Sequence, residues 1–184
     1  MNVIEKFNLQ DAFFLAGKSV FLSGLDRECV EIEQYFKEAE KRYVMWFYPG
    51  KKAMGPPGYC HGGFIAAILD ESMGTCCWLN GLLVMTAKME LRCKTKLPIN
   101  NEYIATAYIK SMKGRRITAA AEISDNSDKV YAAAEGTFLS IPVEKLAGSP
   151  GYEEQMKKTA RFFELRRQGV SLENIFKELG QPGD

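Results

Sequence analysis

The chain has a single histidine, His61, which stands directly before Gly62-Gly63 and an apolar run that carries Asp70 and Glu71. One histidine rules out multi-histidine zinc sites, and any Ser-His-Asp or Cys-His machinery would have to use His61. There is no P-loop, and no GxGxxG stands ahead of a helix. His61 therefore has two readings, a structural residue or a residue with a local role at a helix start. The first turn of a helix leaves backbone N–H groups without intrahelical partners and carries the positive end of the dipole. Two glycines let another group approach that backbone closely. Such a place can hold an oxyanion developing on a carbonyl under attack. A tight loop-to-helix turn calls for the same glycines, so the pair alone does not decide.

Asp70 and Glu71 sit in the middle of the most apolar helical stretch of the chain. A buried carboxylate without partners is costly, so each is either satisfied by neighbours or kept for function. Adjacent helical residues lie roughly 100° apart, so the two cannot face one site. Periodicity does not choose between them.

The elements that must hold these residues can be read from the pattern. Phe64 to Leu79 is too long for a typical strand and apolar on nearly every face, which predicts a helix buried in a core and stopped by Asn80-Gly81. Cys29 to Phe36 and Tyr43 to Tyr48 read as strands before it, and Pro49 to Gly58, with three prolines and three glycines, as a loop. After the helix, Ala87, Met89, Leu91 and Cys93 alternate with charged residues, a strand with one buried face. Tyr103 to Ile109, Ile117 to Ser124 and Val130 to Ile141 follow with short loops, which predicts an antiparallel meander of four strands. Residues 1–18 read as a short helix, and 152–167 and 171–179 as amphipathic helices that pack on the domain or on a partner subunit. One long apolar helix against one antiparallel sheet is an α+β arrangement, with the sheet wrapped around the helix.

The bulk numbers agree with one soluble globular domain. The 184 residues suffice for a sizeable core, and a formal net charge of +1 points to no nucleic-acid or membrane-surface partner. Five cysteines, an odd number without a CxxC pair, argue against a disulfide framework and for a reducing compartment. Ala12 to Leu25 is broken by Lys18 and too short for a membrane span. No secretory signal or transit peptide is visible. A cytoplasmic location is expected, or a mitochondrial one where a presequence has been removed.

Gly55-Pro56-Pro57-Gly58-Tyr59-Cys60-His61-Gly62-Gly63, followed by Asp70, resembles the central motif of PaaI-type hotdog-fold acyl-CoA thioesterases, and Val84-Met85-Thr86-Ala87 and Gly114-Arg115 add to the likeness. The resemblance covers residues 29–141 and is strongest to the mammalian thioesterase-superfamily branch. It implies a hotdog domain over 29–147, with an N-terminal helical extension at 1–28 and a C-terminal one at 148–184. It implies hydrolysis of acyl-CoA to free acid and coenzyme A, as in fatty acid metabolism, with no cofactor and no metal. By position, Asp70 matches the carboxylate that activates water or attacks the thioester. The N–H of Gly62 or Gly63 matches the carbonyl-polarising donor, and Thr86 an orienting hydroxyl. Glu71 is then a structural partner and His61 chiefly a shaper of the helix start. Some members carry an Asn six residues before the histidine; this chain has Gly55 there.

Gly62 and Asp70 are eight residues apart, roughly 12 Å along a helix. An oxyanion donor and its base must both come within about 3 Å of one small reacting group. One helix is poorly built for that, which predicts a homodimer, or a dimer of dimers, with Asp70 and Thr86 of one copy acting at the helix start of the other. The family's usual interfacial sites agree. Lys113, Arg115 and Arg116 suit the phosphates of coenzyme A, though a solvated hairpin turn would look the same. Met73, Trp78, Met85 and Met89 are candidates for the acyl channel or plain core. Two other functions stand beside hydrolysis. Enoyl hydration needs a placed histidine, against which the position of His61 argues. A non-catalytic acyl-CoA-binding or partner-binding module would use the C-terminal helices as its surface.

Overall fold

The computed structural model describes residues 3–7, 9–15, 22, 25–26, 28–146 and 153–180. The apolar run becomes helix α2, Gly62–Leu79, which buries Ile65, Ile68, Leu69, Ser72, Met73, Cys76, Cys77 and Leu79. Its one buried hydroxyl, that of Ser72, donates back to the Ile68 carbonyl at 2.7 Å. Asn80 ends the helix: its side-chain amide donates to the carbonyls of Cys76 at 2.8 Å and Lys41 at 3.3 Å. Gly81, at φ +83°, then turns the chain away.

Seven antiparallel strands form one sheet: β1 Phe13–Leu15, β2 Val30–Lys37, β3 Arg42–Pro49, β4 Val84–Cys93, β5 Tyr103–Lys113, β6 Arg116–Ser124 and β7 Val130–Ser140, in the order β1-β2-β3-β5-β6-β7-β4. Helix α2 lies against β3 to β7. The expected four-strand meander holds only for β5, β6 and β7. β4 pairs instead with β7 and forms an edge of the sheet. Of the face that alternation marks as buried, Met89 and Leu91 are half-buried, whereas Ala87, at the register shift between Thr86 and Lys88, and Cys93 are exposed. Nor does alternation tell which strand is the neighbour, a choice that rests on contacts far apart in sequence.

The N-terminal expectation also needs correction. Among the described residues of 1–18 only α1, Val3–Lys6, is helical, and Phe13, Phe14 and Leu15 pair with Phe36, Tyr35 and Gln34 of β2. Consecutive aromatic residues suit a pleated surface better than a helix, and β2 offers them a free edge. Leu9 joins Tyr35, Val44 and Trp46 in a second cluster, away from α2.

The C-terminal helices α3, Glu153–Arg167, and α4, Leu172–Leu179, pack into the main core through Phe162, Phe163, Leu165, Leu172, Ile175 and Phe176. Trp78 of α2 stacks on Phe162 with ring centroids 3.9 Å apart. Arg166 donates to the Leu79 carbonyl at 2.8 Å and to Glu38 at 2.6 Å, so one guanidinium joins the end of α2 to the β2–β3 turn.

Close approach of α2 to the sheet depends on Gly136 of β7. A Cβ there would fall 2.5 Å from the Phe138 ring and 3.2 Å from Met73 Cε. Gly136→Val is expected to cost about 1–3 kcal/mol by overpacking. Urea unfolding would show this as a lower midpoint; an unchanged midpoint would mean that the helix has slack at this point.

Candidate active site

The loop before α2 is held at several points. The Gly55 N–H donates to the Tyr59 carbonyl at 2.9 Å, Tyr59 N–H to the Pro56 carbonyl at 3.0 Å, and Gly58 takes φ +81°. Cys60 N–H donates to the Leu97 carbonyl and His61 N–H to the Ala53 carbonyl, both at 2.8 Å. His61 thus arrives pinned on the chain that links β4 to β5 and on the Lys51–Ala53 turn. It is the N-cap of α2, extended at φ −66° and ψ 141°, and its Nδ1 accepts from Gly63 N–H at 2.9 Å. Gly62 N–H, the outermost amide of the helix, meets no acceptor among the described residues.

Asp70 is half-buried two turns further along α2, on the side that faces edge strand β4. The Thr86 hydroxyl donates to Asp70 Oδ1 at 2.9 Å. Thr86 pairs in register with the buried Phe138, so it points to the helix side of the sheet, and the register shift between Thr86 and Lys88 follows at once. Glu71 faces elsewhere, toward Tyr43. Burial pushes the Tyr43 hydroxyl well above its ordinary range, and the Glu71 charge adds to the effect. The two carboxylates that periodicity left undecided are therefore separated: Asp70 stands at the open edge and Glu71 near the core tyrosine.

A cysteine nucleophile beside His61 does not fit. Cys60 is buried, and burial pushes its thiol up to about 12, which keeps it protonated at neutral pH. Cys76 and Cys77, pushed up by burial to about 11 and about 12, are equally inert.

The chain resembles known proteins in sequence and in fold. No family model matches the chain. It is 29% identical over 116 residues to the acyl-coenzyme A thioesterase THEM4 of Rattus norvegicus, covering 62% of this chain and 50% of the relative. The chain spans about half the length of the curated relatives it matches. A crystal structure of a thioesterase superfamily protein superposes with a TM-score of 0.57 at 27% identity, over 59% of this chain and 53% of that one. The PaaI protein from the phenylacetic acid degradation operon of E. coli superposes with a TM-score of 0.55 at 18% identity, over 61% of this chain and 80% of its own. The fold is the hotdog fold, and the chain's relatives are acyl-CoA thioesterases.

Within the hotdog sheet the remaining candidates are spread out. Arg115 is tied down, its Nε and Nη2 donating to the Ser140 carbonyl at 3.2 and 3.1 Å. Lys113 and Arg116 pair directly across the turn at Gly114, and the register continues to Leu139 and then Met85. These four residues lie on the face away from the hotdog helix, so Met85, 63% exposed, does not line the helix side where Thr86 points. Met73, itself in α2, is fully buried, Met89 is half-buried toward that helix, and Trp78 is covered by Phe162. The sequence also hid a contact: a Cβ on Gly55 would come within 3.0 Å of His61 Cα. The Gly-Pro-Pro-Gly run was the only signal of so tight a turn. No described helix is long and apolar enough to cross a membrane.

Proposed function

We propose that the chain hydrolyses acyl-CoA thioesters to free acid and coenzyme A, at a site made from two copies of itself. The observation that carries the reading is the Thr86–Asp70 hydrogen bond, 2.9 Å long, at the open edge of the sheet. With Oδ1 held by Thr86, Oδ2 remains to take a proton from water. The water oxygen attacks the thioester carbonyl, and its carbon passes through a tetrahedral oxyanion. The C–S bond then breaks, the acid leaves, and the coenzyme A sulfur takes the proton. The oxyanion needs donors, and Gly62 N–H at the positive end of α2 is suited to the task.

That amide lies roughly 12 Å from Asp70 along the same helix. A second copy resolves the separation by bringing its own helix start to this Asp70. Strand β4 supports the assembly. It is ten residues long, largely exposed, and among the described residues paired only with β7. A long open edge invites pairing with another chain. Lys113 and Arg116, on the sheet face opposite to Thr86, could meet phosphates of coenzyme A only where the ligand passes round the sheet to that face.

The experiment is turnover of a panel of acyl-CoAs with product masses recorded. Free acid and coenzyme A are expected. Tight coenzyme A binding with no release across the panel would favour the binding module instead, and a mass gain of one water with the thioester intact would favour hydration.

Thr86→Val removes the hydroxyl and keeps the shape. Loss of a hydrogen bond to a carboxylate is expected to lower kcat/KM by about tenfold. Steady-state kinetics beside a melting curve would check it, and an unchanged kcat/KM would remove Thr86 from the site.

A further inference from the structure

We propose that the acyl chain of the substrate runs along α2 from Asp70 past Gly74 and stops at Trp78, so that the C-terminal helices set a medium-chain limit; this rests on the thioesterase reading above. Asp70, Gly74 and Trp78 stand at i, i+4 and i+8 on one side of the helix. All three are half-buried, while Met73 and Cys77 between them are fully buried in the core. Gly74 lies in the interior of α2, where glycine destabilises a helix. Packing does not call for it. A Cβ on Gly136 would strike Phe138, but one on Gly74 would meet nothing within 4 Å among the described residues. The bare position keeps a space open one turn from the carboxylate.

The far end of that space is closed. Helical side chains lean toward the N-terminus of their helix, so the Trp78 indole reaches back toward the turn of Gly74. Phe162 of α3 stacks on the indole at 3.9 Å, and Phe163 meets it edge-on at 5.9 Å, which keeps it from swinging aside. Arg166 fastens the same helix α3 to the Leu79 carbonyl and to Glu38. The stop is thus braced by residues outside the hotdog sheet. From Asp70 to Trp78 there are one to two helical turns, roughly 6–12 Å. With C–C bonds of about 1.5 Å, an extended alkyl chain advances about 1.3 Å per carbon, so the space takes about five to nine carbons. Beyond Asp70 the row carries no charge, and a thin apolar chain attached to the carbonyl at Asp70 is the occupant that fits it.

The test takes the full chain as wild type, Gly74→Ala, Gly74→Leu and Trp78→Leu. Two readouts are kcat/KM for straight-chain acyl-CoAs from acetyl to palmitoyl, and calorimetric binding of S-alkyl coenzyme A thioethers of the same lengths, which cannot be hydrolysed. Wild-type kcat/KM and affinity should rise about two- to fourfold for each added CH2 as far as octanoyl and fall again by myristoyl. Gly74→Leu should lower both for octanoyl by at least ~tenfold and leave acetyl within about twofold. Gly74→Ala should lie between, and both variants should melt no lower than wild type, since alanine and leucine favour a helix. Trp78→Leu should move the optimum to longer chains. A length profile that neither Gly74→Leu nor Trp78→Leu changes would overturn the proposal. So would a loss uniform across lengths; with dissociation to monomers by size exclusion, it would give the space to the second copy instead. If wild type hydrolyses no acyl-CoA while thioether affinities follow the predicted profile, the acyl path stands and the thioesterase reading fails. Affinities indifferent to length would overturn the path itself.

Discussion

Asp70→Asn is expected to lower kcat/KM for acyl-CoA hydrolysis by at least ~10²-fold, the usual loss when a general base is removed. That corresponds to about 2.7 kcal/mol of transition-state stabilisation. The substitution separates chemistry from folding. Asparagine keeps the volume of the side chain and keeps an oxygen that can accept from Thr86 Oγ1, now at 2.9 Å from Asp70 Oδ1. Asp70 is half-buried at the edge of the helix, so an amide there displaces no core group. Melting should therefore be close to wild type while turnover collapses. An unchanged rate would take Asp70 out of the reaction, and a collapsed melting temperature would make it structural.

The second large effect concerns stability. Phe162→Ala is expected to cost about 3–5 kcal/mol, the range for deleting a buried aromatic ring. Phe162 is 3% exposed and stacks on Trp78 with an interplanar angle of 10°. It also meets Phe163 edge-on at 5.4 Å and Phe176 at 5.9 Å, and Phe176 in turn stacks on Phe13 of β1. Removing the ring opens a cavity between the end of α2, both C-terminal helices and the first strand. The Arg166 bonds to Leu79 and Glu38 remain but hold little apolar surface. Chemical denaturation should show the loss in one transition. A separate early transition confined to α3 and α4 would instead show that the C-terminal pair is only loosely attached.

Much of this fold could be read from local pattern. The apolar run fixed α2 to within two residues, Phe64 against Gly62 at the start and Leu79 at the end. Strands β2, β3, β5, β6 and β7 lie where alternation and turn residues put them. The failures are all matters of distant pairing. Phe13 to Leu15 form a strand because β2 offers a partner, which a local window does not contain. β4 lies at the edge beside β7 because the sheet closes around the helix, not because of anything in its own residues. For the site, the motif pointed to Asp70 and Thr86, and a separation of 16 positions in the chain hid a direct hydrogen bond. The sequence left Gly62 and Gly63 equivalent, and only the direction of the His61 ring distinguishes them. Met85 stood beside Thr86 in the motif, yet neighbours on a strand face opposite ways.

The central claim is that the carboxylate and the amide of one site come from different chains, and mixing two inactive variants tests it most directly. Asp70→Asn removes the base. Gly62→Pro removes the amide hydrogen with little strain, because proline suits the first position of a helix and needs an extended residue before it. His61 already has φ −66° and ψ 141°, and a Cβ on Gly62 meets nothing within 4 Å. Each variant alone should be nearly inactive. Coexpressed in equal amounts, they should recover about a quarter of wild-type turnover, because about half of the dimers are mixed and each mixed dimer holds one intact site. Turnover in the mixture no higher than in the two variants alone would contradict the shared site.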